Sequence, residues 1–178
     1  MEEDFNIEEI EEEPSIFRKI IVILMAIFLI LLLTSFILTD GNVRNSLLGL
    51  IESETINQNV IPINNGNNLI FTSNTYKNLL EIYDANLEVE FKVCLQGNII
   101  NGDYLIEEIL VPETFLQTHS KVVAEPCPIE TIVDMHSHPI RRCLPSDQDF
   151  NNFRNFKERN ANVLLAVMCE RERFNIYI

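Results

Sequence analysis

A chain of 178 residues has room for one ordinary domain and an appendage. Its 27 acidic residues against 13 basic ones give a net charge of −14, which argues against a nucleic-acid partner, because phosphate affinity comes largely from Lys and Arg. Four cysteines with no C-x-x-C pair argue against a separate cysteine zinc site.

The chain opens on "MEEDFNIEEIEEEPSIF", rich in acids and free of basic residues. Residues 1–19 therefore read as a solvated, disordered tail with too little apolar surface to fold. Residues 20–38, "IIVILMAIFLILLLTSFIL", form a charge-free run long enough to cross a hydrocarbon core as a helix. No A-x-A-like cleavage pattern follows Leu38, so the run reads as an uncleaved single-pass anchor in the cell membrane. Arg18 and Lys19 stand before it, and Arg44 is the nearest basic residue after it. Counted by the positive-inside rule, these place the tail inside and the rest outside.

Residues 39–69 are polar, Asn-rich and punctuated by Pro62 and Gly66, and read as a juxtamembrane linker with a short helix near Leu47 to Ile51. The folded domain is expected over residues 70–178. Tyr76, Leu79, Leu80 and Tyr83 recur at helical spacing, which predicts an amphipathic helix over 73–86 capped by Ser73 or Asn74. Strands follow at about 88–96 and 103–112, joined around Asn101-Gly102, a hairpin signal.

A third strand is expected over about 129–136, through "IETIVDM", rich in β-branched and apolar residues. It runs into "HSHPIRRCLPSDQD". Side chains alternate along a strand, so His136 and His138 point to one side, Ser137 points to the other, and Pro139 ends the strand. With Asp149 brought back by the next element, the histidines can supply three ligands to one metal and leave a fourth position open, the usual form of a catalytic zinc site. A plainer reading stands beside it. Ser146 and Asp149 have the spacing of a helix N-cap and its capping box, and Phe150, Phe153 and Phe156 would face the core from a helix over 147–160. That accounts for Ser146 and Asp149 without a metal, but not for the histidine pair. Residues 162–170 and 173–178 read as a closing hairpin.

The run His136, Ser137, His138, Ser146 and Asp149 resembles the signature of the JAMM (MPN-plus, or JAB) zinc metalloproteases, H-(S/T)-H-x7-S-x-x-D. The resemblance implies a glutamate at the head of an earlier strand, about seven residues before a glycine. Glu90, ahead of Gly97, fits that place, and Glu88 is the competitor two residues away. It further implies an α/β domain, a sheet with flanking helices in an α-β-α sandwich, over residues 70–178. Zn2+ would be held by His136, His138 and Asp149, Glu90 would act as general base, and Ser146 would donate to the oxyanion. The reaction implied is hydrolysis of a peptide or isopeptide bond after the C-terminal tail of a ubiquitin-like protein.

Arg141 and Arg142, beside the metal, would steer an acidic partner, although a solvated loop explains them equally well. The rivals are a non-catalytic MPN-type interaction module and a RadC-like protein with the same metal layout. Against the second stand the acidic charge and Ile140 and Arg141 after Pro139. Cys94 and Cys169 read as buried small hydrophobes, Cys143 as a residue placed to be an extra ligand, and His119 as a surface loop residue. Four cysteines that look unpaired, together with a ubiquitin-like substrate, weigh for a cytoplasmic catalytic face against the charge count.

Overall fold

The computed structural model describes residues 16–63, 65–139 and 142–178. The acidic tail, up to residue 15, lies outside the described residues. The chain divides into two units, Met1–Arg44 and Asn45–Ile178. In the first, helix α1 (Ile16–Thr39) has 24 residues and no buried side chain. At about 1.5 Å per residue it is about 36 Å long, against about 30 Å of hydrocarbon in a bilayer. It is long and apolar enough to cross a membrane.

Helix α2 (Gly41–Glu52) runs across the boundary between the units. Beyond it lie β1 (Glu54–Thr55), β2 (Val60–Pro62), β3 (Asn68–Phe71), α3 (Ser73–Ala85), β4 (Lys92–Ile100) and β5 (Asp103–Leu110). They are followed by β6 (Thr114–Thr118), β7 (Lys121–Ala124), β8 (Val133–Ser137), α4 (Asp147–Lys157), β9 (Leu164–Glu170) and β10 (Arg173–Tyr177). Eight strands form one mixed sheet in the order β1-β10-β9-β8-β4-β5-β3-β2, and β6 and β7 form a separate hairpin. The β8–β9 and β3–β5 pairs are parallel, and the others antiparallel. The two edge strands, β1 and β2, are joined by residues 56–59 alone. So short a connection makes the sheet curl until its edges approach. The result is a barrel-like mixed sheet rather than a clear α-β-α sandwich.

Residues expected as a linker differ as well. β1, β2 and the first half of β3 lie within 39–69, and the sheet unit begins at Asn45 rather than near Ile70. These strands are two to four residues long, too short to show a period of their own.

Alternation along the central strands divides the interior. Val93, Leu95, Val133, Met135, Leu164, Ala166 and Met168 join one buried cluster with Leu79 of α3. Cys94 and Leu165, pointing the other way, join a second cluster with Phe153 and Phe156 of α4. Each buried phenylalanine contributes about 1.5–3 kcal/mol by leaving water. The N-cap of α3 is Thr72, one residue before the expected caps, and its side chain accepts from the Thr75 N–H.

The turn between β4 and β5 falls at Asn101-Gly102, with φ of 54° and 95°, where a two-residue hairpin favours such left-handed residues. Gly97 does not open a turn. It lies inside β4 at a bulge opposite β5, where an added Cβ would sit 1.9 Å from the Leu105 carbonyl oxygen.

The cysteines are paired, contrary to expectation. Disulfides join Cys94 to Cys127 and Cys143 to Cys169, and no free cysteine remains. Cys143 is thus not available as a metal ligand, and the cysteines no longer favour a reducing compartment. Closing loops of this length contributes about 3–4 kcal/mol apiece in the chain-entropy account.

Candidate metal centre

β8 runs between β9 and β4, and all five of its residues are buried. Its register sets His136 opposite Lys92 and Asp134 opposite Cys94. The period of two then puts Asp134, His136 and, just past the strand end, His138 on the face shared with α4. Ser137 faces away, and its Oγ accepts from the Phe91 N–H at 3.0 Å. It ties the start of β4 to β8, in keeping with a structural part.

The imidazoles converge. His136 Nε2 and His138 Nε2 lie 3.1 Å apart, and both rings are 6% exposed. Asp149 Oδ2 is 3.4 Å from His136 Nε2 and 3.9 Å from His138 Nε2. A tetrahedral ion with bonds of about 2 Å sets its ligand atoms about 3.3 Å apart. The three atoms come close to that spacing, and two imidazoles and a carboxylate are a donor set that could hold a metal ion. Among the described residues this is the group of His, Cys, Asp and Glu side chains that could hold an ion.

Each ligand is oriented by a second contact. His138 Nδ1 lies 2.6 Å from the Arg142 carbonyl oxygen, to which it can only donate, so the Nε2 lone pair is left for a metal. Burial and the neighbouring His136 push His138 down to about 4, so it is neutral at physiological pH. Asp149 is the third residue of α4, within a complete capping box. Its Oδ2 accepts from the Ser146 N–H at 2.7 Å and from the Ser146 hydroxyl at 2.6 Å, and that hydroxyl accepts from the Asp149 N–H. Burial works to raise Asp149, but hydrogen bonds from His136 and Ser146 outweigh it and hold the carboxyl well below its ordinary range.

Glu90 lies two residues before β4, buried, with Oε1 3.7 Å from His138 Nε2. Its backbone N–H donates to the Thr118 carbonyl at 2.8 Å. Burial pushes its carboxyl up to about 7, opposed by His136 and reinforced by Asp149. Glu88 is exposed in the preceding turn.

A cleft borders the ligands between the β6–β7 hairpin and α4, lined by Glu90, His119, Lys121, Val122, His138, Arg142, Ser146 and Asp149. It brings in His119, which the sequence offered only as a loop residue. Arg142 lines the cleft, whereas Arg141 lies outside the described residues. A second hollow, on the His136 side, contains Lys92 and Asp134, whose Nζ and Oδ2 are 3.2 Å apart. Both residues were legible as neighbours of the site, since each stands two positions from a site residue on its own chain segment. Their pairing across strands was not. No family model matches this chain, and no curated protein matches its sequence.

Proposed function

We propose that the chain is a zinc-dependent hydrolase of amide bonds, of the JAMM type that its signature resembles. One observation carries the reading. Two buried imidazole nitrogens and a carboxylate oxygen converge at metal-ligand spacing, with a buried glutamate 3.7 Å from one of them. A bound zinc ion would polarise the scissile carbonyl and acidify a water molecule.

The remaining steps belong to the chain. His136, His138 and Asp149 would hold the ion, and the Arg142 carbonyl keeps His138 in the tautomer that leaves Nε2 free to ligate. Glu90, buried 3.7 Å from His138 Nε2, takes the proton of the attacking water and delivers it to the leaving amine. Ser146 donates to the developing oxyanion. To do so its hydroxyl has to turn from Asp149, to which it donates at 2.6 Å. The cleft along the hairpin takes an extended polypeptide, of which the tail of a ubiquitin-like protein is the form suggested by resemblance.

The complete capping box favours a second reading of Ser146 and Asp149, as parts of a non-catalytic interaction module. That reading leaves the buried histidine pair without a purpose. Zinc content of the purified chain, followed by hydrolysis of an extended peptide and a ubiquitin-like fusion, separates the two. One zinc with turnover supports the hydrolase, and a chain that takes up no zinc and shows no turnover supports the module.

A further inference from the structure

The connections on either side of β8 are each cross-linked to the sheet. The connection from β7 to β8 carries Cys127, bonded to Cys94 on β4, the strand that Glu90 leads into. The connection from His138 to α4 carries Cys143, bonded to Cys169 on β9. Cys143 adjoins Arg142, whose carbonyl orients His138. Gly49 of α2 packs against the same residue, so closely that an added Cβ would meet the Cys143 Cβ at 3.0 Å. No cysteine is left free. Cytosolic glutathione and thioredoxin keep thiols reduced, whereas disulfides persist in oxidising compartments. The connections on either side of β8, one of which carries the residue that orients His138, are therefore held by bonds that endure outside a reducing cytosol.

The flanks of α1 point the same way by separate physics. Arg18 and Lys19 lie in its first turn, and after Thr39 the nearest basic residue is Arg44. Orientation follows Lys and Arg near the membrane ends, with little weight for acids, so the amino-terminal side stays in the cytosol.

We infer that the sheet unit stands on the oxidising, extracytoplasmic side of the membrane, and that its substrate is an amide bond of a polypeptide outside the cytosol. The substrate clause rests on the hydrolase reading; the sidedness rests on the disulfides and flanking charges alone. It reverses the cytoplasmic face expected from the resemblance and replaces a cytosolic ubiquitin-like conjugate with a secreted or surface polypeptide.

The test uses the full chain in a bacterial host with a reducing cytosol, carrying either alkaline phosphatase or green fluorescent protein fused after Ile178. Membranes are denatured in a maleimide that adds visible mass, with and without prior reduction. The expected result is an active phosphatase, a dark fluorescent fusion, and mass added at the four cysteines only after reduction. A bright fluorescent fusion with inactive phosphatase, or cysteines modified without reduction, overturns the inference. Zinc is measured on the same membrane-extracted chain. A zinc-free chain with an active phosphatase removes the hydrolase reading and leaves the sidedness standing; a zinc-loaded chain with a bright fluorescent fusion does the reverse.

Discussion

His136 and Asp149 reach the same point by different means. His136 sits in the middle of a buried sheet, with β4 and β9 hydrogen-bonded on either side, so its position follows from strand register. Asp149 arrives after the connection that follows β8, on the first turn of an 11-residue helix. It is placed by a capping box, by the bond from Cys143 of that connection to Cys169 of β9 and by its approach to the histidines. A strand-borne ligand is fixed by the whole core, while a loop-borne one depends on a few local bonds. Damage to the first half should abolish function outright, and damage to the second should erode it by steps.

The strand-side half breaks hardest at Glu90. Glu90→Gln keeps the shape and removes the proton acceptor, so turnover should fall by orders of magnitude while zinc content stays that of the parent. If Glu88→Gln gave that result and Glu90→Gln did not, the assignment would be wrong.

On the loop side the expected losses are smaller. Ser146→Ala removes a cap, a hydrogen bond to Asp149 and the proposed oxyanion donor together. Turnover should drop roughly a hundredfold, with about 1 kcal/mol lost from stability. Unchanged turnover with a lowered melting temperature would leave only the cap. Replacing Cys143 and Cys169 together by serine should cost about 3–4 kcal/mol of stability. It should also weaken zinc binding about tenfold or more, as loss of a second contact on a ligating histidine does. The same change at Cys94 and Cys127 should cost similar stability and spare zinc affinity, as competition with a chelator would reveal.

The smallest effect concerns pH. Without metal, Glu90 titrates near 7 in the fold against an ordinary 4.5, so it takes stability away as pH rises from 4.5 to 7. His138 titrates near 4 against an ordinary 6.5, so it adds stability as pH rises from 4 to 6.5. The two offset each other between 4.5 and 6.5. Asp149, held low, contributes stability above its ordinary 3.8 that is lost on acidification. Melting of the metal-free chain should therefore be nearly level from pH 4.5 to 6.5 and fall below 4. A steady decline across the upper range would mean that His138 is not buried as neutral imidazole.

The sequence was legible where a period or a fixed spacing expressed the physics. The H-x-H strand, the capping box at Ser146 and Asp149, the Asn101-Gly102 hairpin and the Tyr76 to Tyr83 helix all carry their own signal. What stayed hidden depended on distant partners. β1 to β3 are only two to four residues long, and become strands by pairing with β10, with β5 and with each other. The β6–β7 hairpin, with Phe115 and Leu116 exposed, lacks the alternation of a half-buried strand. Disulfide partners cannot be read from four cysteines, which allow three pairings. Thr72, Ser73 and Asn74 are all good caps, so sequence alone could not choose Thr72.

The central claim is that His136, His138 and Asp149 hold one catalytic zinc. The most direct measurement is metal content of the purified full chain after zinc reconstitution and removal of excess, beside His136→Ala and Asp149→Ala. The parent should retain one zinc per chain, His136→Ala none, and Asp149→Ala a weakly held fraction lost to chelator. A parent chain free of zinc, or a His136→Ala chain that binds it as well as the parent, would contradict the account.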